Sequence, residues 1–176
     1  MTQTARHPPR KVVLIGAIGV GKTSLVRRLV HREFHSEYLA TVGFDIYTYT
    51  ASGAATGLQH DVNLVIWDSD GELDSGIFDT PIIKGASGAV IIGDVVRRSS
   101  QEDMARLAEG CRKHLAGREL VFILNKADLT DGNPPPVPPA DLTRFGNKLF
   151  WTSAKTGDNV DQTFAAIAKA VDRRGY

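Results

Sequence analysis

Residues 16–23 read Gly16-Ala17-Ile18-Gly19-Val20-Gly21-Lys22-Thr23, set between an apolar run and an amphipathic one. Before the octet, Lys11-Val12-Val13-Leu14-Ile15 is short, β-branched and uninterrupted, the pattern of a strand buried on both faces of a parallel sheet. After it, Thr23 to Val30 sets Leu25 and Leu29 four apart on one helical face. A strand, a glycine-rich turn and a helix N-terminus together make an anion site, because consecutive backbone N–H groups converge there and the helix dipole favours negative charge. The octet satisfies G-x-x-x-x-G-K-[ST]. Gly16, Gly19 and Gly21 let the backbone wrap a β-phosphate, Lys22 reaches the β- and γ-phosphates, and the Thr23 hydroxyl can ligate Mg²⁺. Ala17, Ile18, Val20 and the following Ser24 complete the phosphate-contacting run.

Length and composition narrow the class. A chain of 176 residues is one domain by the usual prior and can bury about 70% of its unfolded surface. Its formal net charge of +1 supplies no field that argues for nucleic acid or an anionic membrane as the main partner. The single cysteine, Cys111, excludes an internal disulfide framework and suits a reducing compartment. It falls on the stripe Met104, Leu107, Ala108, Cys111, Leu115 of an expected helix, which assigns it to the core. Residues 1–10 carry no apolar segment of signal-peptide type and are expected to form a disordered tail before a single domain over 11–174. No apolar run approaches the ~18 residues of a membrane span. Asp172 to Tyr176 holds no cysteine for prenylation, so the expectation is a cytoplasmic protein with no direct membrane anchor.

Strand-like and helix-like runs alternate beyond the first unit, which argues for an α/β fold with a mostly parallel sheet. Phe44–Thr50 and Val62–Trp67 read as a hairpin joined by a Gly/Ser/Ala loop from Ala51 to Gln59, and that pair supplies an antiparallel edge. Ala89–Ile92 and Leu120–Leu124 are continuous apolar runs, as central strands are. Ser100 to Ala116 is expected to be a helix opened by a capping-box-like Ser100-x-x-Asp103 and stopped at Gly117. Val160, Phe164, Ile167 and Val171 mark the stripe of a last helix. Residues 134–139 hold five of the eight prolines, so no helix runs through them. Their P-x-x-P reads as a rigid connector, with a polyproline-binding partner as the functional alternative.

Three further clusters follow strands. Trp67-Asp68-Ser69-Asp70-Gly71 ends a strand with D-x-x-G: Asp68 can orient Mg²⁺, and Gly71 lets a backbone N–H approach a γ-phosphate. In Asn125-Lys126-Ala127-Asp128 the last carboxylate can accept two hydrogen bonds from the N1–H and N2–H₂ edge of guanine, an arrangement adenine does not supply. Leaving that carboxylate unpaired costs several kcal/mol, on the order of 10⁴-fold discrimination. In Thr152-Ser153-Ala154-Lys155 the Ala154 N–H can reach guanine O6. Each cluster is weak alone. In this order, all at strand C-termini where α/β folds bind ligands, they form a strong signal.

From Lys11 to Val171 the chain resembles the small Ras-like GTPases, the Rab branch most closely. The resemblance implies a three-layer P-loop fold, a mostly parallel six-stranded sheet with one antiparallel edge strand, and helices on both faces. It implies GTP or GDP with Mg²⁺ as ligands and signalling through two segments ordered by the γ-phosphate, 36–45 and 70–82. Phe34, Tyr38 and Thr41-Val42-Gly43-Phe44-Asp45 look like the first of these switches. There Phe34 leans on the guanine and Thr41 completes a metal shell with Thr23 and Asp68. The implied catalytic set is Lys22, Thr41, Gly71 and Glu72, and the second and third guanine-contacting groups are Asn125, Lys126, Asp128 and Ser153, Ala154, Lys155.

Departures accompany the matches. The family's D-x-A-G-Q reads Asp68-Ser69-Asp70-Gly71-Glu72 here, adding two carboxylates near a triphosphate where a glutamine usually orients water. Ile18 stands where Ras proteins have glycine. The lipid-bearing cysteines are missing, which is similar to prokaryotic members that work with small roadblock-type dimers, and such a dimer is the partner implied. His31 and His35, four apart, read as a helix end entering a loop, with a metal pair as the alternative. Arg27, Arg28 and Arg32 read as a solvated basic face. The leading reading is a slow GTP-hydrolysing switch. The alternative is a pseudo-GTPase that binds nucleotide without hydrolysis, and an ATP-specific enzyme stands third.

Overall fold

The computed structural model describes residues 7–36, 43–69, 78, 81–130, 142, 144–145 and 149–173. Strand β1 (Arg10–Ile15) leads into the glycine-rich octet and helix α1 (Lys22–His31) leaves it. Along the chain come β2 (Phe44–Ala51), a one-turn helix α2 (Gly53–Thr56), β3 (Val62–Ser69) and β4 (Gly88–Asp94). Helix α3 (Arg98–His114), β5 (Glu119–Asn125), a 3₁₀ turn (Ala127–Thr130), β6 (Leu149–Trp151) and helix α4 (Val160–Asp172) complete it. The six strands form one sheet in the order β2-β3-β1-β4-β5-β6, parallel throughout except for the edge strand β2. This is the expected architecture.

The apolar run of β1 explains its central place. Val12 and Leu14 point into one layer with α1 and α4, where they meet Leu25, Leu29 and Phe164. Val13 and Ile15 point into the other, against Met104, Leu107 and Cys111 of α3. All four β1 side chains are wholly buried. A side chain of this size contributes about 1.5–3 kcal/mol by leaving water, so helices on both faces are the arrangement such a strand requires. The stripe Val160, Phe164, Ile167 and Val171 of α4 is buried as its spacing predicts.

Two local expectations are corrected. Residues 51–59 are not a plain loop: Ser52 caps α2 by accepting a hydrogen bond from the Ala55 N–H at 3.2 Å, and Gly57 ends it at φ +69°. Helix α3 starts at Arg98 and ends at His114, and Ser100 is not its cap. The Ser100 hydroxyl donates to the Arg97 carbonyl at 2.7 Å and accepts from the Asp94 N–H at 2.9 Å, so it is consumed in folding the β4–α3 corner. The proline run 134–139 lies outside the described residues. Among the described residues no helix is long and apolar enough to cross a membrane.

Parallel pairing brings the ends of β1, β3, β4, β5 and β6 to one edge of the sheet. Sheet order reverses at β1, with β3 on one side and β4 on the other. Loops diverge at such a point and leave a crevice, and the octet occupies it.

Candidate functional site

Crowding requires glycine at Gly16 and Gly21, and a left-handed backbone requires it at Gly19 and at Gly21, whose φ is +95°. A Cβ on Gly16 would sit 2.2 Å from the Ile92 carbonyl oxygen, and one on Gly21 would sit 2.4 Å from Asn125 Nδ2. Gly19 has φ +74°. Lys22, 6% exposed, turns back over the loop and donates from Nζ to the carbonyls of Gly16 at 2.8 Å and Ala17 at 3.4 Å. Val20 is buried, Ile18 is half exposed, and Ser24 lies in the first turn of α1.

Thr23 and Asp68 meet beside the loop: the Thr23 hydroxyl donates to Asp68 Oδ2 at 2.5 Å. Asp68 is wholly buried and its other oxygen, Oδ1, has no hydrogen-bond partner among the described residues. Burial pushes the carboxyl up to about 6, although the Thr23 hydroxyl and the Lys22 charge pull it down. A desolvated carboxylate with one oxygen unused, next to a hydroxyl, is the environment a hard divalent cation relieves.

The far end of the crevice is built on Asn125, which is buried. Its Nδ2 donates to the Val20 carbonyl at 2.9 Å, and its Oδ1 accepts from Thr152 Oγ1 and from the Ala154 N–H, both at 3.2 Å. One side chain thus ties the phosphate loop to the segment 152–155. Asp128, on the 3₁₀ turn, accepts from Ser153 Oγ at 2.5 Å and lies 4.0 Å from Lys155 Nζ. Lys126 has φ +68° and pairs through Nζ with Asp94 Oδ2 at 2.7 Å.

The residues read from the two ends of the crevice therefore converge. Phe34 lies two residues past Arg32, which closes α1 at φ +61°, and is partly exposed. Thr41, Gly71 and Glu72, and most of 36–45 and 70–82, lie outside the described residues. His31 ends α1 and sets its ring edge-on to Tyr47 at 6.2 Å, while His35 sits 3.5 Å from Glu33, so the two histidines do not share a helix face. Among the described residues no group of three or more His, Cys, Asp or Glu side chains could hold a metal.

The basic face expected on α1 is corrected at Arg28, while Arg32 stays exposed. Arg28 donates from Nε to the Ala154 carbonyl at 2.8 Å and from a terminal nitrogen to the Lys155 carbonyl at 2.6 Å. Arg32 forms an ion pair with Asp161 at 2.7 Å. Helix periodicity puts Arg28 away from the sheet but says nothing of the loop that arrives from 126 residues further along the chain. Asp94 and Arg97, at the β4–α3 corner, brace Lys126 and the outer side of the phosphate loop, and carry no sequence signal of their own.

The Ras family model matches residues 11–173. Ras-related protein RABA3 of Arabidopsis thaliana is 33% identical over 171 residues, 93% of this chain and 69% of that protein. Ras-related protein Rab-13 of Bos taurus is 31% identical over 166 residues, 92% of this chain and 79% of its own length. Ras-related protein RABA4b of Arabidopsis thaliana is 36% identical over 163 residues, 89% of this chain and 70% of that protein.

Proposed function

This chain belongs to the Ras family and is a GTP-binding small GTPase; from that premise we propose that it is a Mg²⁺-dependent, guanine-specific switch that hydrolyses GTP slowly to GDP and phosphate. The observation that supports this most is the Asn125 bracket, which makes the phosphate loop and the segment Ser153–Lys155 one preformed unit. Phosphates take the N–H groups of residues 16–24 and the Lys22 ammonium, while Phe34, Asn125, Lys126, Asp128, Ser153, Ala154 and Lys155 take the base. Asp128 disfavours adenine because its carboxylate then faces a ring acceptor and gains no hydrogen bond from the base.

Magnesium fits the pair Thr23 and Asp68, because a buried carboxylate with an orphaned oxygen gains from a cation what it lost in desolvation. Thr41 is the third group we assign to it. When bound, the ion neutralises charge on the phosphate oxygens. Of this chain's own groups, we assign Lys22 the role of adding charge at the phosphates, Gly71 that of offering an N–H, and Glu72 the part the family's glutamine plays toward the attacking water.

A carboxylate only accepts hydrogen bonds and is repelled by phosphate oxygens, whereas an amide both accepts and donates. Two unit charges ~5 Å apart at an effective dielectric near 20 repel by about 3 kcal/mol, and half of that is about a tenfold loss of rate. Single-turnover GTP hydrolysis at saturating Mg²⁺ should therefore be slow for the wild type and faster for Glu72→Gln. A glutamine variant no faster than wild type overturns the electrostatic account. The non-hydrolysing alternative draws no support from relatives named as Ras-related proteins, and it would be restored only by GTP binding with no turnover in either variant. An effector or regulator docking on 36–45 and 70–82, a roadblock-type dimer among them, and a cytoplasmic setting complete the proposal.

A further inference from the structure

The outer side of the phosphate loop is held by an arginine that the nucleotide reading does not use. Arg97 donates from a terminal nitrogen to the Ile18 carbonyl at 2.6 Å. Its other terminal nitrogen lies 3.8 Å from where a Cβ on Gly19 would be, the nearest atom to that point among the described residues other than Gly19 and its two chain neighbours. Its Nε is buried without a hydrogen-bond partner among the described residues. An arginine merely lying on a surface keeps all its N–H groups in water, so this one gives up a hydrogen bond in order to reach the loop.

The corner that carries it is fixed. The Arg97 N–H donates to the Asp94 carbonyl at 3.2 Å, the Arg97 carbonyl accepts from the Ser100 hydroxyl at 2.7 Å, and Asp94 pairs with Lys126 at 2.7 Å. Lys22 holds the start of the loop at the Gly16 carbonyl, but the stretch from Ala17 to Val20 that Arg97 grips is held from within the loop by long bonds. Its own turn bond, Val20 N–H to Ala17 carbonyl, is 3.4 Å long, and the Ile18 side chain is half exposed.

The peptide bonds of the described chain are trans, so the C=O of Ile18 and the N–H of Gly19 point in opposite directions. Pinning that carbonyl outward turns the Gly19 N–H inward, toward the crevice. A cation on the carbonyl also polarises the peptide and strengthens the N–H as a donor. We propose that Arg97 is a positioning residue of the nucleotide site, which aims the Gly19 N–H at the β-phosphate and so slows nucleotide release. The assignment rests on the nucleotide reading above.

The test uses the whole chain loaded with fluorescent GDP and Mg²⁺, chased with excess GDP. Arg97→Met keeps the aliphatic stem and removes the donors; it should raise the release rate about tenfold while the association rate changes less than twofold. Arg97→Lys, with one donor set restored, should recover most of the difference. In the ¹H–¹⁵N spectrum of the GDP complex the Gly19 amide proton should move upfield in Arg97→Met, as a weakened donor does, while amides of the central strand β1 stay in place. Arg98→Met, which removes the exposed neighbour paired with Glu102, should release GDP as the wild type does. Unchanged release in Arg97→Met, or equal acceleration in Arg98→Met, overturns the assignment and leaves the nucleotide reading standing. Failure of the wild type to take up GDP at all overturns the nucleotide reading itself.

Discussion

Removing the guanidinium of Arg28 should weaken guanine binding from a distance, because that group holds the loop carrying Ala154. In Arg28→Met the stem survives, and with it the packing near Gly157, where a Cβ would lie 3.6 Å from Arg28 Cδ. What goes are the bonds to the Ala154 carbonyl at 2.8 Å, the Lys155 carbonyl at 2.6 Å and the Arg32 carbonyl at 3.0 Å. A hydrogen bond from a charged donor is worth about 1.5–3 kcal/mol, but the bonds to Lys155 and Arg32 are exposed and water replaces much of each. A net loss of about 1.5–2 kcal/mol remains, centred on Ala154. The empty loop can relax and the nucleotide-bound loop cannot, so the loss falls on the complex and amounts to about ten- to thirtyfold in GDP affinity. If the Ala154 N–H serves the base and not the phosphates, as proposed above, ADP binding should fall much less, and the preference for GDP should narrow. Displacement titrations with GDP and ADP at saturating Mg²⁺ measure both. A change in GDP affinity below twofold would mean that the Ser153–Asp128 contact holds the loop unaided, and a parallel fall for GDP and ADP would mean that Arg28 acts through α1 on the phosphates; either result refutes the reasoning.

Other consequences follow from single groups. Asp68 ionises at about 6 in the folded chain, above its ordinary value of 3.8, so in metal-free buffer its contribution to stability is full below about pH 4 and is lost as pH rises through 6. The loss is worth about 3 kcal/mol by pH 7, and Asp68→Asn should flatten the urea-unfolding profile between pH 4 and 7 while abolishing the Mg²⁺ dependence of nucleotide binding; an unfolding profile parallel to wild type contradicts this. Burial pushes the Cys111 thiol up to about 12, so iodoacetamide should label it only through unfolding, with a rate that follows the urea transition; rapid labelling of the native chain would show that α3 opens locally. Asp128→Asn should lose guanine affinity and gain xanthine affinity, because the amide donates to the xanthine O2, and a variant that merely binds both bases poorly would place the specificity elsewhere.

What could be read without coordinates was what depends on neighbours in sequence. Val12 to Ile15 had to be a central strand because no polar residue gives it a wet face, and Leu25 with Leu29 fixed the buried side of α1. Asn125, Asp128 and Ser153 were legible because each motif is short and follows an apolar strand. The missed features are contacts between distant segments. Arg28 and the Ala154 carbonyl are 126 residues apart, and Arg97 and the Ile18 carbonyl are 79 apart, so no periodicity reports them. Ser100 misled for a different reason: its hydroxyl had two sets of backbone groups within reach and satisfied the turn at Asp94 and Arg97 instead of the helix end. The helix α2 was signalled by Ser52 and Gly57, but one turn of helix is too short for a periodic pattern.

The central claim is that Asn125 joins a phosphate loop to a guanine pocket. Competition of GTP and ATP for the site, read by displacement of fluorescent GDP at saturating Mg²⁺, tests it most directly. The account predicts that GTP displaces at least about a thousandfold more effectively than ATP, as a buried polar pocket should discriminate. Equal displacement by ATP would contradict it.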